Sequence, residues 1–170
     1  MTTSTPERHH YPWPLITPEA ERAVVQQLHT NISLYRRECV YERFEQEFAD
    51  YVGADHALVL NSGTTALWTL YGALGLEPGD EILVPSYTFF ATCSPMIHWG
   101  LVPVFCDADS EGNFDPEEIR RRRTERTRAV MVTHMWGLPC DMPKIKEICD
   151  EEGLLLLEDC SHAHGGMIGD

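Results

Sequence analysis

Leu154-Leu155-Leu156-Leu157-Glu158-Asp159-Cys160-Ser161-His162-Ala163-His164-Gly165-Gly166 joins an unbroken apolar run to a loop carrying acids, a thiol and two histidines. An apolar run that does not alternate reads as a strand buried on both faces, as in a parallel sheet covered by helices. The polar residues begin where that strand ends, and open α/β sheets bind their ligands beyond the carboxyl ends of their strands. Working outward, similar short apolar runs predict strands at 56–60, 81–84, 102–106 and 129–133, with the fifth at 154–158. Helical patterns lie between them at 65–74, 89–99, 115–123 and 142–152. Strands alternating with helices give an α/β fold with a mostly parallel sheet flanked by helices. The chemistry-bearing residues then fall after the strands: Asn61 to Thr65 after the first, Pro85 to Phe90 after the second, Asp107 and Asp109 after the third, His134 after the fourth, and Asp159 to His164 after the fifth.

Ahead of this alternation, Tyr11-Pro12-Trp13-Pro14 reads as irregular, and Thr17-Pro18-Glu19 as a helix start with proline in the first turn. That helix runs to about residue 29, with Val24, Val25 and Leu28 on one face. A second spans 40–51, with Phe44 and Phe48 four apart, and stops at Gly53. No repeat, low-complexity tract or linker interrupts the chain, so residues 1–170 read as one domain segment.

A formal net charge of −14 repels phosphodiester backbones and anionic lipid surfaces, which argues against nucleic acid and membrane as partners. The run Arg120-Arg121-Arg122-Arg123 follows Asp115-Pro116-Glu117-Glu118. It reads as a short solvated helix with acids first and bases last, matching the helix dipole, with an anion site as the alternative. No stretch approaches the ~20 apolar residues of a membrane span, and no signal-like core opens the chain, so a cytoplasmic location is expected. The six cysteines, Cys39, Cys93, Cys106, Cys140, Cys149 and Cys160, contain no CxxC pair and read as reduced thiols, mostly in the core, rather than a disulfide or zinc framework.

Ser62, Gly63, Thr64 and Thr65 lie where a strand turns into a helix. There the free N–H groups and the positive end of the dipole can face a phosphate dianion. An ordinary capped helix is the alternative for the same four residues.

The chain resembles the sugar aminotransferases of the DegT/DnrJ/EryC1/StrS family, fold-type I enzymes of pyridoxal phosphate (PLP). The resemblance starts at Tyr41-Glu42-Arg43-Phe44-Glu45-Gln46-Glu47-Phe48-Ala49 and continues through Asn61-Ser62-Gly63-Thr64-Thr65-Ala66-Leu67 and Pro78-Gly79-Asp80-Glu81. Further blocks are Pro85-Ser86-Tyr87-Thr88-Phe89-Phe90-Ala91-Thr92, Val132-Thr133-His134-Met135-Trp136-Gly137 and the loop from Leu157 to Gly165. It implies an incomplete fold-type I large domain without the small C-terminal domain. It further implies that Ser62 to Thr65 hold the cofactor phosphate, that Phe89 stacks on the pyridine ring with Tyr87 and Phe90 as core neighbours, and that Asp159 keeps the ring nitrogen protonated. His162 resembles the position that bonds the ring oxygen or orients its neighbours; His164 reads as a structural histidine.

The departure is the Schiff-base lysine. Lys144 and Lys146 are the only lysines, and they flank Ile145 and Ile148 on a helix whose apolar face packs inward, so both are expected to face solvent. A lysine that forms a Schiff base must instead lie beside the cofactor. Two function classes follow. One is an aminotransferase-like subunit acting on a sugar or cyclitol with an adjacent-encoded homologous or complementary chain, in a hetero-oligomer that supplies the lysine. The other is a scaffold repurposed without PLP, either as a structural subunit or as a hydrolase. In the latter case His134, Asp159 and His162 form a ligand set for a divalent first-row metal that activates water.

Overall fold

A computed structural model describes residues 14–30 and 40–169. The chain divides into two compact units, Met1–Ala57 and Leu58–Asp170. Cys39 and the segment Tyr11 to Trp13 lie outside the described residues.

In the first unit, α1 (Pro18–Thr30) and α2 (Val40–Val52) form as the pattern predicts. Thr17 caps α1 by accepting the Ala20 N–H at 3.2 Å. Phe44 and Phe48 stack one turn apart on α2, with centroids 5.8 Å apart. Gly53 ends the helix at φ +70°, a conformation only glycine adopts without strain, and Ala54 N–H closes onto Ala49 C=O. The Val24, Val25 and Leu28 face of α1 is exposed.

The second unit contains α3 (Gly63–Ala73), β1 (Glu81–Pro85), α4 (Ser94–His98), β2 (Val102–Cys106), α5 (Glu117–Arg122), β3 (Thr127–Thr133), α6 (Met142–Glu152) and β4 (Leu155–Asp159). The four strands form one parallel sheet in the order β2-β1-β3-β4. The α/β, mostly parallel architecture is therefore as the apolar runs predict.

Two expectations need correction. Residues 56–60 form no strand, because an apolar run becomes a strand only where a neighbouring backbone takes its ladder bonds, and none of the four strands pairs with it. The helix predicted over 89–99 is divided into a single 3-10 turn, Phe90–Thr92, and the short α4. Pro95 in the first turn of α4 has no N–H and disfavours helical geometry in the residue before it, so the helix restarts there.

The period-2 alternation of β1 and β3 sorts the core into two layers. Leu83, Val130 and Val132 pack with Ile119 of α5 and with Ile145, Ile148 and Cys149 of α6. Ile82, Val84, Ala129 and Met131 point the other way, onto Tyr71 of α3 and Met96 of α4. Buried acids tie the edges. Glu118 accepts from Arg121 at 2.8 Å, Arg122 at 2.9 Å and the Asp107 N–H at 3.2 Å. Arg123 pairs with Glu152 at 2.7 Å and Arg120 with Glu151, so the arginine run is spent on acids of this chain.

Candidate functional site

β1 leads to β2 on one side and the chain then returns to place β3 on the other, so the order of connection reverses between β1 and β3. Ligands of open α/β sheets bind at such a switch point. A cavity of about 250 Å³ lies there, lined by Gly63, Thr64, Leu67, Phe89, Ala91, Thr133, Met135, Asp159, Ser161 and His162. Of the residues read from sequence as binding a cofactor, Gly63, Thr64, Phe89, Asp159 and His162 therefore share one cavity.

The wall contributed by α3 follows from its cap. Ser62 has extended geometry (φ −163°, ψ 158°), and its hydroxyl accepts the Thr65 N–H at 3.1 Å while lying 2.9 Å from Thr65 Oγ1. Ser62 and Thr65 thus hold the turn together. Gly63 and Thr64 are left facing the cavity with first-turn N–H groups that have no intrahelical acceptor.

Asp159 ends β4 opposite Thr133 of β3 and is buried. Its Oδ1 accepts from Ser161 twice, from N–H at 3.1 Å and from the hydroxyl at 2.6 Å; its Oδ2 accepts from Thr92 Oγ1 at 3.0 Å. Thr92 Oγ1 is 2.9 Å from Thr88 Oγ1, which is 2.9 Å from Thr133 Oγ1. The Tyr71 hydroxyl anchors the Thr92 carbonyl at 2.6 Å, and burial pushes the pKa of that phenol up.

His162 sits beneath the Trp136 indole, with ring centroids 5.3 Å apart and planes 21° from parallel. The Trp136 N–H donates to His162 Nδ1 at 3.3 Å, which makes Nδ1 the acceptor and leaves the ring proton on Nε2. Trp136 adopts φ +56°, the only positive φ of a non-glycine residue among the described residues, and its Nε1 donates to the Tyr87 hydroxyl at 3.1 Å. Phe89 packs tilted against Phe90 at 4.5 Å. Tyr87, Phe89 and Phe90 are all exposed, so Tyr87 and Phe90 are not the core neighbours that the resemblance implied. His164 is exposed as well.

The metal set His134, Asp159 and His162 is not brought together. Thr133 and Asp159 face the cavity, so the residue immediately after β3, His134, points to the opposite side of the sheet. There its buried ring lies 3.1 Å from Glu158 Oε2 through Nε2, while Nδ1 accepts the Cys140 N–H at 3.1 Å. The atoms that do cluster with metal-like spacing belong to His134, Glu158 and Cys160, all within 4.8 Å of one another. The thiols of Cys140 and Cys160 and the Glu158 carboxylate draw the His134 pKa upward. The main-chain donor opposes this, because a proton on Nδ1 would face the Cys140 N–H. The neutral ring with its proton on Nε2, donated to Glu158, satisfies both contacts and leaves no ring lone pair for a metal.

Neither lysine approaches the cavity lining. Lys144 pairs with Glu117 and Lys146 with Asp150, each at 2.7 Å on the surface. The hydroxyls of Thr88, Thr92, Thr133 and Ser161 were not singled out from sequence. Their signal was the i, i+4 spacing of Thr88 and Thr92 inside one aromatic block.

A helix N-terminus, a buried carboxylate, an aromatic face and an N–H-bearing imidazole around one small cavity define a site suited to an anionic, nitrogen-containing ring. Residues 16–170 match the model of the DegT/DnrJ/EryC1/StrS aminotransferase family, and the chain belongs to that family. It is 38% identical over 128 residues to GDP-perosamine synthase of Vibrio cholerae, covering 75% of this chain and 35% of that protein. It is also 38% identical over 159 residues to L-glutamine:2-deoxy-scyllo-inosose aminotransferase of Streptomyces paromomycinus, covering 90% and 38%. Among solved structures, 3-amino-5-hydroxybenzoic acid synthase superposes with a TM-score of 0.85 at 35% identity, over 91% of this chain and 41% of that one. The ntda protein of Bacillus subtilis with bound cofactor PMP superposes at 0.79 with 27% identity, over 88% and 35%. The chain thus spans 35% to 38% of the length of these curated relatives. The matched structures include a Streptococcus pneumoniae protein in a PLP form and a PMP form, in keeping with a family of PLP-dependent enzymes of fold type I. No helix among the described residues is long and apolar enough to cross a membrane.

Proposed function

We propose that this chain supplies the phosphate-binding and ring-binding side of a PLP-dependent aminotransferase that acts on a keto-sugar or keto-cyclitol with an amino acid as donor. The observation that carries the reading is the placement of Asp159 across one cavity from the N-terminus of α3. The relatives named for perosamine and for scyllo-inosose support the sugar or cyclitol class.

The residues present fit the cofactor. PLP supplies an electron-accepting ring when it is bound. The Gly63 and Thr64 N–H groups, with the helix dipole behind them, hold the phosphate dianion. Asp159 Oδ2, with one lone pair engaged by Thr92, offers the other to a protonated ring nitrogen. A carboxylate 3–4 Å from such a cation stabilises it by roughly 4–5 kcal/mol at an effective dielectric near 20. Phe89 covers a ring face, and His162 Nε2–H is free to donate to a ring oxygen. The Trp136 indole lies over His162 and shields it from water on one side.

Lys144 and Lys146 are engaged elsewhere, so in this reading the Schiff-base lysine lies outside residues 1–170, and a hetero-oligomer with an adjacent-encoded homologous or complementary chain is the arrangement proposed to supply it. The buried free thiols Cys93, Cys106, Cys140 and Cys149 support a cytoplasmic setting for that assembly. The test is to purify the chain with the product of the adjacent reading frame, add PLP, a glutamate or glutamine donor and nucleotide-linked keto-sugars or keto-inositols, and detect the amino product by mass. A stable complex that binds PLP but transfers no amino group to any of these acceptors overturns the reading.

A further inference from the structure

Three threonine hydroxyls stand in line behind Asp159, and proton counting orients them. An ionised carboxylate offers only acceptors, so Thr92 spends its single hydroxyl proton on Asp159 Oδ2. Thr92 Oγ1 can then only accept from Thr88, and Thr88 Oγ1 can only accept from Thr133, because each hydroxyl carries one proton. The series therefore runs in one direction, Thr133 to Thr88 to Thr92 to Asp159, and hydrogen bonds aligned in this way strengthen one another. Thr92 is fully buried, and its main chain is pinned by Tyr71, so its hydroxyl has little freedom to turn away. These groups come from three separate segments, the turn after β1 and the ends of β3 and β4, with Thr92 and Asp159 lying 67 positions apart in sequence.

We propose that Thr92, backed by Thr88 and Thr133, is a positioning residue that holds Asp159 Oδ2 toward the cavity and keeps the shared proton on the ring nitrogen of a bound pyridoxal-type ligand. This rests on the cofactor reading given above. With its Oδ1 filled by Ser161 and one Oδ2 lone pair filled by Thr92, Asp159 has a single direction left in which to accept. A carboxylate held in that direction meets a ring N–H as a charge-assisted acceptor, the arrangement in which the hydrogen bond is short and strong.

The experiment uses the full chain and pyridoxamine 5′-phosphate labelled with ¹⁵N in the ring, following affinity by fluorescence and ring protonation by the ¹⁵N chemical shift at fixed pH. Thr92→Val is expected to weaken binding roughly tenfold, the effect of losing a hydrogen bond to a charged group. It also moves the ring nitrogen toward its unprotonated shift. Thr92→Ser restores both readouts, and Thr88→Val gives a smaller change of the same sign. A residue that only packs would alter affinity without moving the nitrogen shift. Should Thr92→Val fail to fold, Thr88→Val decides, since that side chain is only partly buried. If Asp159→Asn abolishes binding and nitrogen protonation while Thr92→Val and Thr88→Val match the wild type, this inference falls and the cofactor reading stands. If the wild-type chain shows no saturable binding, both fall.

Discussion

Asp159 is the residue on which the ligand chemistry turns, because its carboxylate is the acid that lines the cavity. Replacing it with asparagine keeps the shape and removes the charge. Pyridoxamine 5′-phosphate is then expected to bind about 100-fold or more weakly, a loss of roughly 3 kcal/mol for a charge pair in a partly buried site; fluorescence titration reads it directly. The lysines provide a complementary test. Each is paired with an acid on the surface, so borohydride reduction in the presence of PLP should label neither Lys144 nor Lys146 specifically. Stoichiometric labelling that disappears with Lys144→Met or Lys146→Met, seen by peptide mapping, would contradict that assignment.

Glu118 controls a different property. Its hydrogen bond from Arg121, followed by those from the Asp107 N–H and Arg122, holds its carboxyl at about 2 against an ordinary value of 4.5. A carboxyl depressed on folding adds stability that is fully present above pH 4.5 and is lost as pH falls through about 2. Glu118→Gln is therefore expected to cost about 1–3 kcal/mol at neutral pH and to flatten the acid side of the stability curve between those two values. Urea unfolding at several pH values measures both effects.

At the scale of elements, the seam between α3 and α4 is the tightest. A Cβ built on Gly72 would overlap Trp99 Cζ2. That indole cannot easily yield, since its Nε1 donates to the Trp68 carbonyl at 2.9 Å and its ring packs on Trp68 at 4.7 Å. Gly72→Ala, which would favour an exposed helix, is expected to destabilise this one by about 1–3 kcal/mol, visible as a lower Tm. The same seam carries α3 beside the cavity, so the variant should also weaken phosphate-bearing ligands. The division of the 89–99 segment at Pro95 matters for the site too, because the 3-10 turn before it places Thr92 under Asp159.

At the scale of the whole molecule, the two edge strands β2 and β4 each pair on one side only among the described residues, and both Phe105 and Leu155 are exposed. Unpaired strand edges with apolar side chains promote association. The chain expressed alone is expected to self-associate, whereas co-expression with the adjacent-encoded chain proposed above is expected to yield a complex of defined mass, as light scattering would record. A monodisperse monomer of the isolated chain would remove the argument for a partner.

Much of this molecule is legible without coordinates. The apolar runs at 81–84 and 129–133 become strands buried on both faces, since a two-sided core accepts continuous apolar residues, whereas the equally apolar runs at 102–106 and 154–158 form the edge strands β2 and β4, in which Phe105 and Leu155 stay exposed. The cap at Ser62, the stop at Gly53 and the outward lysines of α6 follow from local rules of helix ends and helix faces. What the chain order could not specify is which distant groups meet. A one-residue step at the end of β3 separates Thr133, which faces the cavity, from His134, which bonds Glu158 on the other side. Proximity to a strand end made His134 look like a site residue, and only the pleat showed that Thr133 faces the cavity instead. The Thr133, Thr88, Thr92 and Asp159 series and the turn that lays Trp136 over His162 were decided by tertiary structure alone, because short polar side chains acquire a partner only when the sheet brings separate segments within hydrogen-bond distance.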